Sequence, residues 1–165
     1  MINIQKIRPA DKEPIRKILE ETSVFTSDEV SVAIELIDIF LNNPNQKDYI
    51  INSAISEDGK VLGYYCIGPT PMTTGTYDLY WIAVNPSTQK KGIGKELLSH
   101  AESLIGKTAG RLIVAETSSQ PKYENTRKFY LSAQYKELAR IKDYYKIGDD
   151  LVVYGKYVSQ FRDSQ

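Results

Sequence analysis

The sequence predicts a mixed α/β (layered α+β) protein in which a mostly antiparallel central sheet is flanked by about four helices. Three observations support this prediction. Strand and helix patterns follow each other in an irregular order, Asp58-Gly59 is typical of a β-hairpin turn, and Thr26 and Glu29 have the spacing of a helix capping box. Because strands occur both in succession and between helices, a single layered fold with a mostly antiparallel front half is indicated.

The first part of the chain is predicted to be a strand over 2–8 and two helices. The first helix opens at Pro9-Ala10-Asp11, with Asp11 as N-cap, and ends near Glu21. The second follows Thr26 and has apolar residues at helical spacing, namely Val30, Ala33, Ile34, Ile37, Phe40 and Leu41. Val32, Leu36 and Ile39 widen this stripe, so the helix is either deeply buried or covers a second apolar surface, such as a substrate cleft or a subunit interface.

The remainder is predicted to alternate between strands and helices. Strands are expected over 49–56, 60–67 and 76–84, a helix after residue 93, a short buried strand over 111–115 and a helix over 121–131. A final strand pair, 135–141 and 151–157, is expected around a loop at 143–150, and 161–165 is predicted to be a frayed tail.

Size and composition limit the classes of protein to which the chain can belong. With 165 residues, 41% of them hydrophobic, it is predicted to be one globular domain over 1–165. With a net charge of +0, the protein has no overall electrostatic field that would attract nucleic acid, so nucleic acid is not an expected partner. No apolar run reaches transmembrane length, so a membrane is not an expected partner either. Cytoplasmic residence is the default expectation. Cys66 is the sole cysteine, which excludes an intrachain disulfide and a cysteine-rich zinc site and favours an inert core thiol.

Residues 81–95, with the sequence WIAVNPSTQKKGIGK, contain the most informative pattern in the chain. An apolar strand runs into a basic, glycine-containing turn, and a helical pattern starts immediately afterwards. Gly92 and Gly94 allow a ligand to approach the backbone closely, because they have no Cβ atom. The unpaired amides and positive dipole of a helix N-terminus attract anions. The pattern therefore predicts a site for a pyrophosphate.

Two common phosphate-binding motifs do not fit this segment. The dinucleotide motif G-x-G-x-x-G fails because Leu97 occupies the third glycine position, and the P-loop fails at Gln89 and Glu96. The spacing Gln89-x-x-Gly92-x-Gly94 after a strand instead resembles the acetyl-CoA motif [RQ]-x-x-G-x-[GA] of the Gcn5-related N-acetyltransferases. The resemblance extends, more weakly, over about 4–157 and implies the acyl-CoA N-acyltransferase fold.

The resemblance implies which residues bind acetyl-CoA, with no metal ion. Main-chain groups of Ile82, Ala83 and Val84 are expected to hold the pantetheine arm as an added strand would. The turn is expected to surround the pyrophosphate with Gln89, Lys90, Lys91, Gly92, Ile93, Gly94 and Lys95. The alternative is a plain strand-to-helix turn in which the two glycines only relieve strain.

The resemblance also implies a second group of site residues on the helix that follows the buried strand. The pair Phe129-Tyr130 resembles the family's Phe-Tyr pair, whose Tyr lies beside the cofactor sulfur, so Tyr130 is the expected proton donor to the leaving thiolate. Tyr123, Thr126, Arg127 and Tyr130 share one helix face at i, i+3, i+4 and i+7, and Tyr123 and Thr126 are expected to contact the cofactor. The chain departs from the family in having Tyr123 where Asn is frequent and Gln134-Tyr135 where Gly-Phe is frequent.

Two residues and one loop need separate consideration. Glu116, at the end of the buried strand, is either the base that takes the amine proton through water or a solvated loop residue. His100 is expected to be structural. The loop 143–150, with paired tyrosines and carboxylates, is a candidate acceptor-binding segment, although Gly-Asp is also an ordinary turn.

Together these features predict an acetyl-CoA-dependent N-acetyltransferase, an enzyme that transfers an acetyl group to a primary amine by direct attack in a ternary complex. The acceptor is a small molecule or a peptide N-terminus, and a homodimer is compatible with the sequence. The alternatives are a non-catalytic acyl-CoA-binding module of the same fold and a binder of another nucleotide.

Overall fold

The computed structural model describes residues 1–89 and 91–158. Its strands are β1 Asn3–Lys6, β2 Ile50–Ile55, β3 Val61–Pro69, β4 Thr76–Val84, β5 Leu112–Ser118, β6 Lys136–Lys146 and β7 Asp149–Tyr157. Its α-helices are α1 Lys12–Glu21, α2 Ser27–Asn42, α3 Ile93–Gly106 and α4 Glu124–Ser132, and short 3-10 turns span Pro9–Asp11, Pro86–Thr88 and Pro121–Tyr123. The predicted tail at 161–165 lies outside the described residues.

The strands are arranged in the order β1-β2-β3-β4-β5-β7-β6. The β1–β2, β2–β3, β5–β7 and β6–β7 pairs are antiparallel, whereas β4 and β5 pair in parallel through three residue pairs, Thr76–Asp78 with Leu112–Val114. The predicted mixed, mostly antiparallel sheet with four α-helices is therefore confirmed for the described residues.

The chain divides into two compact units, which are described in turn. The first comprises Met1–Gly68 and Tyr80–Ala101, and the second comprises Pro69–Leu79 and Glu102–Gln165. Strand β4 contributes its first four residues to the second unit and its last five to the first. The expected single domain over 1–165 stays a prediction.

The core of the first unit forms on both faces of β3, since neighbouring residues of a strand point to opposite faces. Tyr64 and Cys66 pack into an apolar cluster with α1, α2 and β2. On the other face, Tyr65 contacts His100 of α3, with 2.9 Å between the tyrosine Oη and the histidine Nδ1. Tyr65 Oη also accepts from Asn52 Nδ2 at 2.7 Å. His100 thus takes part in a polar contact of the core, in line with the structural role expected for it.

Helix α2 confirms one sequence prediction and decides an open one. The Thr26 side chain accepts from the Glu29 amide while the Glu29 carboxylate accepts from the Thr26 amide, so the capping box is present. Val30, Ala33, Ile34 and Ile37 are buried, but Val32 is 49% exposed and Ile39 is 37% exposed. The helix is therefore not buried around its whole circumference, and these two residues lie on a face that the first unit leaves open.

Asp11 differs from its predicted role as a side-chain N-cap of α1. Its side chain makes no capping bond to that helix. Instead, Oδ2 accepts from the Arg8 amide at 3.0 Å and from Ser53 Oγ at 3.1 Å, while Oδ1 accepts from Arg8 Nη2 at 2.9 Å. Burial by itself would raise the pKa of Asp11, but these hydrogen bonds outweigh it and hold the pKa below its usual value. The carboxylate thereby ties the start of α1 to β2.

We expect Asp11→Asn to lower the free energy of unfolding at pH 7 by about 1–3 kcal/mol, because a buried, charge-assisted set of hydrogen bonds loses its anion. A lowered pKa stabilises the fold above the unfolded-state pKa of about 3.9, and this contribution is lost as the pH falls through the folded-state pKa. The difference between the two proteins should therefore shrink in acid. Urea denaturation at pH 7 and at pH 3 measures this difference.

Asp58→Asn is the matched control for the Asp11 substitution. Asp58 also has a pKa below its usual value, because of hydrogen bonds from Lys60 and Ser56, but it lies on the surface. Its replacement should change stability far less, since exposed ion pairs are screened by water. Equal stability of Asp11→Asn and the wild type at pH 7 would contradict the structural role assigned to Asp11.

The second unit is built on the pairing of β5 with β7, which runs without interruption from Leu112↔Tyr157 to Ser118↔Leu151. Strand β7 is mostly buried, whereas every residue of β6 is exposed. The register of β6 against β7 shifts twice, between Glu137 and Ala139 and between Ile141 and Lys146. Bulges of this kind interrupt the regular edge that an unpaired strand would otherwise present.

Candidate active site

The predicted pyrophosphate turn lies in the first unit, directly after β4. The strand ends at Val84, as predicted, and the Asn85 amide donates to the Leu62 carbonyl of β3 at 2.8 Å. The 3-10 turn Pro86–Thr88 follows, then Gln89, and α3 begins at Ile93. Gln89, Lys91 and Lys95 are exposed, while Lys90 lies outside the described residues. A strand, a turn and a helix N-terminus therefore occur in the predicted order.

Gly92 is the residue of this turn whose backbone requires glycine. Its φ is +84°, in the left-handed region, and a Cβ atom built on it would have no atom within 4 Å among the described residues other than its two neighbours in the chain. The first hydrogen bond of α3 runs from the Glu96 amide to the Gly92 carbonyl at 3.0 Å. The glycine is thus needed for the backbone conformation, and the space above it is open to a ligand. This geometry fits an anion held by main-chain amides.

The other predicted cofactor residues of this segment differ in whether their side chains are exposed to a ligand. The side chains of Ala83 and Ile93 are buried, 6% and 3% exposed, so these two residues can contact a ligand only through their main chain. Ile82, Val84 and Gly94 are half-buried. Main-chain contact is the role expected for 82–84, whereas the structure makes Ile93 a core residue of α3 rather than a side-chain ligand.

A close backbone approach on the β3 side of the motif strand was not foreseen from the sequence. A Cβ atom on Gly63 would lie 2.6 Å from the Ala83 carbonyl oxygen and 3.2 Å from Leu97 Cδ1. Only glycine therefore lets β3 and β4 come this near while α3 packs over them. A glycine inside a strand pattern is the signal that could have identified this position.

Tyr130 lies in an aromatic cluster of the second unit. Its ring stacks on Tyr154 with 5.6 Å between centroids and 24° between planes, and it contacts Phe129 and Tyr135 at 5.5 and 5.6 Å. The residue is 5% exposed, and burial raises the pKa of its phenol above the ordinary value. The hydroxyl therefore stays protonated at neutral pH, which is the state that a proton donor needs.

The other residues predicted on this helix face have separate positions. Helix α4 begins at Glu124, so Tyr123 precedes it in the N-cap position, and the Lys122 ammonium lies 5.0 Å from the centroid of the Tyr123 ring. Thr126 is half-buried one turn before Tyr130. The predicted helix over 121–131 is thus a 3-10 turn followed by a shorter α-helix, and the four-residue face is reduced to its last three members.

Arg127 has a role that the sequence did not reveal. Its Nη1 donates to the carbonyls of Ser118 at 2.7 Å and Gln120 at 2.9 Å, and so holds the loop between β5 and α4. Ser118 Oγ in turn donates to the Asp149 carboxylate and accepts from the Gln120 amide. These bonds fix where α4 starts and therefore also fix the position of Tyr130, which lies on that helix. Paired backbone carbonyls in a connecting loop leave no pattern in the sequence.

The sequence suggested that Glu116 ends its strand, but the structure places it inside the strand. Strand β5 extends to Ser118, so Glu116 lies within it, opposite Val153 of β7, and its side chain is exposed. The prediction stopped the strand at the last apolar residue, whereas backbone pairing with β7 continues through the polar residues 116–118. Water has access to this carboxylate.

The candidate acceptor segment is a hairpin rather than the predicted loop over 143–150. Strand β6 continues to Lys146, and the turn consists of Ile147 and Gly148. Tyr144 and Tyr145 are half exposed, with ring centroids 5.0 Å apart in an edge-to-face contact. Asp143 accepts from the Gly148 amide and Asp150 accepts from the Asp143 amide, so the acidic side chains are engaged in holding the bulged hairpin.

Two classes of feature are not found in the part of the chain that the structure describes. No group of three or more His, Cys, Asp or Glu residues could hold a metal ion there. No helix of that part is long and apolar enough to span a bilayer.

A left-handed glycine turn joins a strand of the mixed sheet to a helix, and β5 and α4 follow along the chain. This arrangement defines an acyl-CoA N-acyltransferase fold. A model of the acetyltransferase (GNAT) family matches residues 13–133. The chain belongs to the acetyltransferase (GNAT) family and is accordingly an acyltransferase. No protein of the curated sequences matches it at a significant level.

Solved structures show the same fold along nearly the whole chain. A GNAT-family protein from Desulfovibrio desulfuricans is 40% identical, with a TM-score of 0.89 over 96% of this chain and 100% of that one. An aminoglycoside 6'-N-acetyltransferase solved with coenzyme A is 17% identical, with a TM-score of 0.76 over 98% and 99%. The ribosomal-protein-S18-alanine N-acetyltransferase from Escherichia coli is 17% identical, with a TM-score of 0.74 over 100% and 99%.

Proposed function

We propose that this protein is an acetyl-CoA-dependent N-acetyltransferase that acetylates a primary amine in a ternary complex. The single observation that supports it most is the Gly92 turn, whose left-handed backbone and open space lie at the N-terminus of α3, directly after β4. The helix dipole and its unpaired amides favour a pyrophosphate at this position. The family, and the coenzyme A bound by a relative of the same fold, support acetyl-CoA as the molecule that carries it.

Several residues of the first unit would contribute to cofactor binding. Main-chain groups of Ile82, Ala83 and Val84 would hold the pantetheine arm, and 89–95 would surround the pyrophosphate, with Lys91 and Lys95 adding positive charge. Bound acetyl-CoA would supply the thioester that is attacked. Main-chain amides near Val84 would stabilise negative charge on its carbonyl oxygen, and holding two reactants in place would provide much of the rate.

Proton transfer would fall to residues of the second unit. Tyr130, protonated at neutral pH, would give its proton to the departing sulfur. Glu116, which is exposed, would take the amine proton through water, or water alone would do so. Tyr123 and Thr126 would contact the cofactor from α4 and the turn before it.

The acceptor would be an amine of a small molecule or a protein N-terminus. Solved structures of the same fold include one enzyme named for a small molecule, an aminoglycoside, and one named for an alanine of a ribosomal protein. The exposed rings of Tyr144 and Tyr145 on the β6–β7 hairpin offer π-faces that attract a cationic amine. Cytoplasmic residence and a homodimer stay predictions of the sequence.

The experiment that tests the proposal is calorimetric titration of the protein with acetyl-CoA, with ATP and NAD as controls. We expect micromolar binding of acetyl-CoA and none of the controls, followed by release of free CoA when suitable amines are screened. Absence of acetyl-CoA binding would refute the cofactor assignment, and binding of ATP or NAD but not of CoA would assign the turn to another nucleotide.

A non-catalytic acyl-CoA-binding module is the second candidate, because Tyr130 is 5% exposed and its ring is enclosed by other aromatics. Under this alternative, acetyl-CoA binds but no amine in a broad screen releases CoA. Turnover with any amine excludes it.

A further inference from the structure

Asn85 joins the motif strand to the turn through five hydrogen bonds within the first unit. Its Oδ1 accepts from the Ser87 amide at 3.0 Å and from Ser87 Oγ at 2.8 Å. Its carbonyl accepts from the Thr88 amide at 2.9 Å and from Thr88 Oγ1 at 3.0 Å, and its own amide donates to Leu62 of β3 at 2.8 Å. One residue thus connects the sheet to the middle and last residues of the 3-10 turn Pro86–Thr88.

The side chain of Asn85 has a distinct part in this arrangement. An Asn carbonyl that accepts from the amide two residues later closes an Asx-turn, which replaces a backbone turn and fixes the direction in which the chain leaves the strand. Pro86 restricts the backbone further by fixing its φ angle. Because a backbone amide can only donate, the Ser87 contact also defines which end of the carboxamide is oxygen.

The chain after this turn is the segment that would hold the cofactor. Gln89 follows the 3-10 turn directly, and its amide lies 3.4 Å from the Pro86 carbonyl, which is a long and weak hydrogen bond. Gly92 follows three residues later with a left-handed backbone. Gln89 is therefore held only weakly by this main-chain hydrogen bond, and we infer that the direction of the described part of the segment is set upstream, by the turn that Asn85 closes.

We propose that Asn85 is a positioning residue for the pyrophosphate of acetyl-CoA: its side-chain carbonyl holds the 3-10 turn and thereby aims the main-chain amides of Gln89, Lys91 and Gly92 at the phosphates. This inference rests on the proposed function. It does not require Asn85 to touch the cofactor, and it assigns the effect to one acceptor atom, Oδ1.

Three substitutions separate the acceptor atom from the volume of the side chain. Asn85→Leu keeps the size of the side chain but has no acceptor, Asn85→Ser is smaller but supplies a hydroxyl that closes the same kind of turn, and Asn85→Ala is as small as serine without the hydroxyl. Calorimetry should show acetyl-CoA dissociation constants raised about tenfold for leucine and alanine and about threefold or less for serine. The KM for acetyl-CoA should follow, whereas kcat at saturating acetyl-CoA stays unchanged.

The ranking of the three variants decides the outcome. A role in packing alone predicts a different order, in which leucine binds acetyl-CoA most like the wild type and serine binds it as weakly as alanine. That order would overturn the inference. Should leucine prevent folding, as judged by thermal unfolding, the serine and alanine variants still differ by one oxygen atom. If wild-type protein fails to bind acetyl-CoA, the proposed function fails. If it binds and Asn85→Ala binds equally well, only this inference fails.

Discussion

Replacing Gly92 with valine is expected to weaken acetyl-CoA binding at least 30-fold, or by about 2 kcal/mol of binding free energy. Two causes act together. The φ of +84° is unfavourable for an L-residue by about 1–2 kcal/mol and most so for a β-branched one, so the turn will leave this conformation. A side chain that stays there projects into the open space in which the pyrophosphate is expected. Calorimetric titration with acetyl-CoA measures the effect.

Gly59→Val is the matched control for the strain. Gly59 has a φ of +82° and, like Gly92, has no atom of the described residues beyond its chain neighbours within 4 Å of a built Cβ atom, but it lies in the β2–β3 hairpin. Both variants should lose a similar free energy of unfolding, whereas only Gly92→Val should lose affinity for acetyl-CoA. Normal binding by Gly92→Val, or an equal loss of binding in both variants, would remove the turn from the cofactor site.

Tyr130→Phe is expected to lower turnover by about 100-fold, the lower end of the range for general acid catalysis, with little change in acetyl-CoA affinity. The substitution removes only the hydroxyl, so the stacking of the ring on Tyr154 and its contacts with Tyr135 persist. Steady-state kinetics with a responsive amine, together with calorimetry, measures the two quantities separately. A fall in both kcat and affinity would point to a binding role instead.

Tyr135→Phe is the control for this prediction. The Tyr135 hydroxyl belongs to the same aromatic cluster and is buried. It makes no hydrogen bond of good geometry among the described residues, although burial and the nearby Glu102 carboxylate raise the pKa of its phenol. Its removal should leave turnover unchanged and change stability little, because no well-formed hydrogen bond is lost. Unchanged turnover in Tyr130→Phe would eliminate Tyr130 as the proton donor.

Glu116→Gln, assayed in parallel, assigns the base to water if its turnover equals that of the wild type.

Local patterns predicted much of the fold. The capping box at Thr26 and Glu29, the Asp58-Gly59 turn and the bounds of β4 depend on residues that are near one another in sequence, and all three are present in the structure. The motif turn belongs to the same class, since glycine spacing and the strand-to-helix transition can be read from the local sequence of residues 81–95. What the turn binds is a further step, for which the resemblance and the family were needed.

The features that the sequence did not predict depend on distant partners. The carboxylate of Asp11 bonds to Ser53, 42 residues away, so local spacing suggested only an N-cap. Strand β5 was predicted too short because its polar end is stabilised by pairing with β7. Arg127 was placed on a helix face by periodicity, but its hydrogen bonds go to loop carbonyls. In each case a tertiary contact outweighed the local preference.

Cys66, buried in β3 at 1% exposure, has a consequence for assays that detect free thiols. It is the only cysteine, and burial raises the pKa of its thiol to about 12, so the folded protein presents no reactive thiolate near neutral pH. A thiol-reactive dye added to a reaction will therefore count CoA molecules without a background from the protein. In denaturant the same dye becomes a reporter of the protein itself, since labelling of Cys66 requires the strand at the centre of the first unit to open.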